Sequence, residues 1–302
     1  MKTSARCLPC FRRQAEGVLH RAGLAPEAAR PAMAAVEAWL AQVQPQLSPP
    51  ENAASLYRLL AAILHDPDPF RTMKKAANRL ALDLLPRLQR MMPVQGDRLA
   101  AAVRLAIAGN VIDCGAPHSL KLDRVLASCL ARPLAVDHLE RLRHGLTTAD
   151  RVLFLGDNAG EVAFDRLLLE ELPAPSTYVV RSVPVINDAL KEDALACGLH
   201  RRAALTTSGC DCPGTVLARC RPAFRQIFAQ APLVISKGQG NFETLSDVPA
   251  PVVFLFTVKC PVVAEHLGQL TGLAPEEGDM VVLAHPRWDW DQGQALDKTG
   301  AA

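Results

Sequence analysis

The chain has 302 residues, 49% of them hydrophobic and 21% charged, with 33 Lys and Arg against 31 Asp and Glu and a formal net charge of +2. At roughly 150 residues per domain this is about two domains or one large α/β domain, with enough apolar content for a core and a composition far from that of a disordered chain. Balanced charge and 5% aromatic residues exclude a basic, base-stacking nucleic-acid surface, and no apolar run approaches the ~18–20 residues of a membrane span.

The opening stretch, MKTSARCLPCFRRQAEG, carries charges without an apolar core of the secretory kind, which predicts a cytoplasmic protein. Nine cysteines, an odd number in a large chain of a reducing compartment, predict thiols rather than a disulfide framework. From residue 1 to about 105 the pattern is helical. Cys10–Ala22, Glu27–Val43, Glu51–His65 and Phe70–Met91 place apolar residues three or four apart, and Pro and Ser clusters separate them.

From about 150 short apolar runs alternate with helical stretches. The runs are Arg151–Asp157, Ser176–Ser182, a weaker Arg202–Thr206, Pro232–Ser236, Val252–Lys259 and Met280–His285. That alternation predicts βαβ units and a mostly parallel sheet. The fold expected is therefore α/β: a helical N-terminal domain over residues 1–105 and a Rossmann-like three-layer domain over 106–302, with a polar, loose tail after His285.

In open α/β sheets ligands bind beyond the carboxyl ends of the strands. The first run delivers Gly156-Asp157-Asn158-Ala159-Gly160-Glu161 there, and the second delivers Asn187-Asp188. The third region delivers Ser208-Gly209-Cys210-Asp211-Cys212-Pro213-Gly214. The fourth delivers Lys237-Gly238-Gln239-Gly240-Asn241-Phe242-Glu243, and the fifth Lys259-Cys260. Oxygen donors from several strand ends suit a hard divalent cation, and Asp157, Asn158 and Asp188 would make such a site. Glycines let backbone N–H groups approach an anion, and Lys237 or Lys259 could neutralise a phosphoryl group. Turn and cap chemistry accounts for each of these positions singly, but not for their shared placement.

Six ordered segments carry a resemblance: AGNVIDCG (108–115), LGDNAGE (155–161), VRSVPVINDA (180–189), SGCDCPGT (208–215), SKGQGNFETL (236–245) and KCPVVA (259–264). Over about residues 5–285 the chain resembles the ARMT-like damage-control phosphatases, and CLPCFRRQ (7–14) is similar to the start of their prokaryotic subgroup. The resemblance implies a helical N-terminal domain, a Rossmann-like domain and hydrolysis of phosphomonoesters with a divalent metal, Mg, Mn, Co or Ni. It implies Asp157, Asn158 and Asp188 as metal ligands, and Asn110 and Asp113 near the site. Lys237, Gly238, Asn241 and Glu243 match the family's K-G-x-G-N-F-E loop. Cys210 and Cys212 stand where the family carries small residues, so the third loop's role is open.

The expectation that follows is a phosphatase of small phosphorylated metabolites, sugar phosphates or related damaged metabolites, with no nucleic-acid or membrane partner and an open oligomeric state. Asp157 and Asp188 serve as ligands, one of them also taking a proton from the attacking water, and Lys237 acts on the phosphoryl group. Glu161, Asn110, Asp113, Gly238, Gly240 and Asn241 are expected to line the phosphate side. An aspartyl-phosphate route through Asp157 is disfavoured, because Ala159 stands two positions on. Cys7-Leu8-Pro9-Cys10 has the spacing of half a metal site or a redox pair, and two buried thiols are the alternative. His118 and His285 are weak site candidates. Two other functions remain at this point: a carboxyl methyltransferase using S-adenosylmethionine, and a non-catalytic metal-binding module.

Overall fold

A computed structural model of the chain describes residues 1–110 and 119–296. Its centre is a seven-stranded sheet ordered β1-β7-β6-β5-β2-β3-β4. The strands are β1 (Val136–Asp137), β2 (Val152–Leu155), β3 (Ser176–Val180), β4 (Ala204–Thr207), β5 (Val234–Lys237), β6 (Val252–Thr257) and β7 (Met280–Ala284). Strands β6, β5, β2, β3 and β4 are parallel; β7 pairs with β6 antiparallel and carries β1 parallel to itself.

The chain runs outward from β2 through β3 to β4, then returns to the other side of β2 as β5 and continues to β6. The order therefore reverses between β2 and β5, and the crevice beyond their carboxyl ends is the switch point where such sheets bind ligands. Central strands are buried on both faces, so they read as continuous apolar runs. Phe154, Tyr178, Ile235 and Leu255 pack into one core layer, while Leu153, Leu155, Val234 and Phe254 pack into the other.

Twelve helices are described. Three of them, α1 (Leu8–Arg21), α2 (Pro26–Leu40) and α3 (Pro49–Leu64), build a separate cluster around Phe11, Val18, Val36, Leu56 and Leu60. Two further helices, α4 (Arg71–Met91) and α5 (Arg98–Ala108), belong to the core of the sheet instead: α5 lies on β6, and both lie on the helix that follows β2. Their Leu85, Leu88, Val103 and Leu105 share the core of Phe154 and of Phe164 from α8 (Glu161–Glu170). Apolar packing thus joins α4 and α5 to the core of the sheet and leaves α1, α2 and α3 around a cluster of their own. The amphipathic pattern of α4 and α5 records that one face is buried, and it is the same whether a helix or a sheet covers that face.

The remaining helices are α6 (Ser119–Ala131), α7 (Leu139–Thr148), α9 (Lys191–Ala196), α10 (Pro222–Ala229), α11 (Gln239–Leu245) and α12 (Pro261–Thr271). A short ribbon, β8 (Trp288–Asp289) with β9 (Gln294–Ala295), closes the described part of the tail. Among the described residues no helix is long and apolar enough to cross a membrane.

Candidate active site

The turn after β2 is built for close approach. A Cβ on Gly156 would meet the Tyr178 hydroxyl at 2.5 Å, so only glycine lets the chain pass there. Tyr178 in turn donates to Asp165 Oδ2 at 2.6 Å. Gly160, at φ +84°, then starts α8, and its N–H is held at 2.7 Å by Asn78 of α4.

Two backbone hydrogen bonds clasp this turn to the one after β3. The Ala159 N–H donates to the Asn187 carbonyl at 2.8 Å, and the Ala189 N–H to the Asp157 carbonyl at 2.8 Å. Asn158 and Asp188 thus form an isolated antiparallel bridge. Residues thirty positions apart are thereby fixed side by side. Asp157, Asn158, Asn187 and Asp188 all line one cavity of about 420 Å³ at the switch point.

The two aspartates sit in different settings. Asp188 is 1% exposed and accepts from Arg181 Nε at 2.6 Å. Burial pushes its carboxyl up, and Arg181 opposes that. Asp157 accepts from the Asn158 amide at 3.0 Å. Its carboxyl is pushed well above the ordinary range by burial and by the charges of Glu161 and Asp188, against the pull of Lys259 and Arg181.

Lys237 and Glu161 lie behind the cavity wall rather than on it. Lys237 Nζ donates to Glu161 Oε2 at 3.0 Å and to Asp165 Oδ1 at 2.6 Å, and it is 1% exposed. Burial alone would lower its pKa, but the carboxylates of Asp165 and Glu161 hold it up. The ammonium expected on the phosphoryl group is therefore spent inside the protein. Glu161 Oε1 accepts from Asn158, which leaves the Asn158 amide oxygen as its donor for a cation.

Asn241 is a brace. It accepts from Thr215 Oγ1 at 2.8 Å and from Arg181 at 3.3 Å, and donates to the Lys237 carbonyl at 2.8 Å and the Gly156 carbonyl at 3.3 Å. It thus ties the ends of β2 and β5 to the residue that holds Asp188. The Gly238 N–H is used by the Leu255 carbonyl at 3.0 Å, so it is part of the sheet and not an anion donor. Gly240 lines the cavity and packs on the Pro213 carbonyl. Asn110 follows α5, and Gly109 next to it lies against the start of α8; the Asn110 Oδ1 is buried without a hydrogen-bond partner among the described residues. Asp113 and His118 lie outside the described residues.

Cys7 and Cys10 do face the cavity, and the cysteine that lines it with them is Cys260, not Cys210 or Cys212. Burial pushes all three thiols up. They do not meet the spacing of a ligand set: among the described residues the close group is Cys210, Asp211 and Cys212. His285 is buried away from the cavity, under Phe254.

Arg13, Gln14 and Tyr57 line the cavity together with Lys259, and no motif singles them out as site residues. They come from α1 and α3, whose helical pattern says nothing of what these helices cover. Behind the wall, Arg181 directly follows β3 and Thr215 lies in the loop after β4; their one sequence signal is their place in the VRSVPVINDA and SGCDCPGT segments.

Whether a dication fits can be judged from the donors. Asp157, Glu161, Asp165 and Asp188 are buried together around two buried cations, Lys237 and Arg181. The excess is negative, and it is made of hard oxygen donors on the cavity side, which is the environment Mg²⁺-like ions prefer.

An open α/β sheet with acidic strand ends around a cavity at its switch point is the class of α/β architecture that places ligand sites beyond the carboxyl ends of its strands. The chain belongs to the family of the damage-control phosphatase ARMT1-like domain, whose model matches residues 3–273. It is 32% identical over 274 residues to damage-control phosphatase PH1575 of Pyrococcus horikoshii, a match covering 88% of this chain and 94% of that protein. It is 32% identical over 229 residues to a damage-control phosphatase of Archaeoglobus fulgidus, covering 73% and 79%. The crystal structure of a DUF89 family protein of Pyrococcus horikoshii superposes with a TM-score of 0.86 at 29% identity, covering 94% of this chain and 99% of that one.

Proposed function

We propose that this chain is a divalent-metal-dependent phosphatase of small phosphorylated metabolites. Asp157, Asn158 and Asp188 would hold the cation, which when bound supplies Lewis acidity toward a phosphoryl oxygen and lowers the pKa of water. The observation that carries this reading is the backbone clasp between residues 157–159 and 187–189, which turns two buried carboxylates toward one cavity.

The chain's own groups divide the remaining work. Arg181 orients Asp188 and balances its charge. Lys259, on the cavity wall, takes the phosphoryl-binding role expected of Lys237; its charge already acts on Asp157, Asp188 and Glu243. Glu243 also lines the cavity. Burial pushes its carboxyl up to about 7, partly countered by the hydrogen bond from Gln239 at 2.8 Å. A carboxyl that carries its proton at neutral pH is suited to give it to the leaving oxygen. Phe11, Pro50, Tyr57 and Val262 supply the less polar side, against which the organic part of a substrate rests. The cavity admits a small metabolite and not a folded polymer.

The test is hydrolysis of p-nitrophenyl phosphate and a panel of sugar phosphates with Mg²⁺, Mn²⁺, Co²⁺ or Ni²⁺. Metal-stimulated turnover is expected in the wild type and none above background in Asp157→Asn or Asp188→Asn. Equal turnover after thorough chelation, or in both variants, sinks the reading.

A further inference from the structure

A second chamber of about 620 Å³ opens beside the candidate active site. Tyr57 and Ile186 line it as well as the first cavity, so the two meet across these side chains. Val18, Leu60, Pro69, Phe70 and Val185 make most of its wall apolar. Three charged residues line it too. Arg58 and Asp211 form an ion pair at its solvent side, where both side chains are partly exposed. The third, Asp68, is 3% exposed.

Asp68 stands in the turn that leads into α4. Lys74 of α4, 1% exposed and not a lining residue, pairs with Asp68 Oδ2 at 2.9 Å and has no further partner among the described residues. Asp68 Oδ1 is buried and has no hydrogen-bond partner among the described residues. The turn itself is closed by other groups: the Asp68 N–H donates to the Asp66 carboxylate at 2.9 Å, and the Asp68 carbonyl accepts from the Arg71 N–H at 3.1 Å. A carboxylate of the chamber wall thus has one oxygen fixed from behind and one acceptor left over. Buried acceptors are paired as a rule, and leaving one bare is unfavourable.

We propose that this chamber takes the far end of the leaving group of a phosphomonoester, a flat apolar ring bearing an N–H donor of the kind a nucleoside monophosphate carries, and that Asp68 selects the donor. The assignment rests on the phosphatase reading of the first cavity.

The walls decide the class of leaving group. A bare sugar would bring a hydroxyl on nearly every carbon against apolar side chains, where polar groups without partners are costly. A heteroaromatic ring brings apolar faces and a polar edge, and one donor on that edge is what Oδ1 can accept. The volume lies in the range of ordinary small-molecule pockets, which are mostly apolar with a few placed polar groups.

One turn builds both chambers. The Asp188 N–H donates to the Val185 carbonyl at 3.0 Å and closes residues 185–188. Val185 and Ile186 face the second chamber, while Ile186, Asn187 and Asp188 face the first. Ile186 is held at φ +38°, a region that β-branched residues avoid. The clasp that brings Asp188 to the cation end therefore also fixes the partition two residues before it, and the strained residue stands where a substrate would pass from one chamber to the other.

The experiment compares adenosine 5′-phosphate with purine riboside 5′-phosphate, which lacks only the amino group, on the full-length protein, with p-nitrophenyl phosphate as the reference. The wild type is expected to favour the amino compound by about tenfold or more in kcat/KM, because without that group Oδ1 stays bare. In Asp68→Asn the Lys74 ammonium keeps the amide oxygen and the NH₂ faces the ring, so the preference disappears. A merely structural Asp68 would lower both rates together and leave their ratio in place. Should Asp68→Asn fail to fold, Ala61→Phe, which fills the chamber from α3, takes its place: both nucleotides must then lose kcat/KM relative to p-nitrophenyl phosphate. Equal kcat/KM for the two nucleotides in the wild type, a ratio unchanged in Asp68→Asn, or nucleotides unaffected by Ala61→Phe overturns the proposal, and equal values are what an oxygen that holds only a trapped water would give. The phosphatase reading fails separately, by the absence of turnover of p-nitrophenyl phosphate. In that event calorimetric binding of adenosine against purine riboside decides: tighter binding of adenosine sustains the chamber's role, and equal or absent binding refutes it.

Discussion

Gly238 lies against the carboxylate of Asp157: a Cβ at 238 would fall 2.1 Å from Asp157 Oδ2 and 2.2 Å from Cγ. The glycine also holds φ +81° and ψ 154°, a region essentially closed to other residues. The end of β5 is therefore shaped around the acidic group at the end of β2. Gly238→Ala is expected to cost at least about 1–3 kcal/mol from backbone strain, and to displace Asp157 in whatever fraction still folds. Urea unfolding should read the first effect. The second appears as a raised metal requirement for phosphatase turnover in the folded protein, and a variant with wild-type stability and metal response would contradict the contact.

Two lysines that follow neighbouring strands should behave in opposite ways. Lys237→Met leaves Glu161 and Asp165 buried without their cation, and breaking such a cluster costs about 3–5 kcal/mol. Lys259 is exposed on the cavity wall, so Lys259→Met should change stability by no more than about 0.5 kcal/mol. Its cost falls on KM for phosphorylated substrates. Paired thermal melts and steady-state kinetics on the two variants separate the roles; a stable Lys237→Met with a raised KM would reverse them.

That contrast shows what the sequence holds and what it withholds. The apolar runs that become β2, β3, β5, β6 and β7 are legible because strands buried on both faces have no polar positions to interrupt them. The same uniformity hides direction: Met280–Ala284 reads alike in either sense, and β7 is antiparallel to its neighbour. Val136–Asp137 is too short to read at all. Asp157 and Asp188 are legible as strand-end acids, but the clasp that unites them uses backbone groups, which every residue owns. The wall behind the cavity follows from parity. Lys237 is two residues beyond Ile235 and shares its face, where Glu161 and Asp165 of α8 lie; a lysine at a strand end says nothing of its side until that alternation is followed.

Arg181 should act through Asp188 rather than on substrate. Arg181→Lys retains a charge but loses the planar fork that reaches Asp188, Thr215 and Asn241 together. Groups that orient metal ligands are typically worth 10–100-fold in metal affinity or activity. The expected outcome is a metal activation constant raised by about that factor, with KM for substrate at saturating metal little changed. A variant whose KM rises while its metal activation curve stays in place would make Arg181 a substrate-binding residue instead.

His285 gives the fold a pH dependence of its own, separate from the site. It is 0% exposed, and its pKa is pushed down from 6.5 to about 4, first by burial and then by the charge of Arg287. The unfolded chain takes up this proton near pH 6.5, whereas the folded chain resists it until about pH 4. Stability from this group is therefore intact above pH 6.5 and is lost progressively as pH falls between the two values, to a total of about 3 kcal/mol. Urea midpoints from pH 7.5 down to 4 should fall less steeply in His285→Asn than in the wild type. Parallel slopes would remove His285 from the account.

Glu243 should set the alkaline limb of the rate. With its carboxyl pushed up to about 7 by burial, the protonated form is present below that pH and disappears above it. If this proton goes to the leaving oxygen, kcat declines as pH rises through about 7, and Glu243→Gln abolishes the limb while lowering kcat by about 10²–10⁴ for alkyl phosphates. A leaving group that departs readily as an anion needs no such proton, so p-nitrophenyl phosphate should lose far less than a sugar phosphate. Glu243→Gln losing equally on both substrates, with its pH profile unchanged, would show that the carboxyl orients Gln239 at the cavity wall and does not donate.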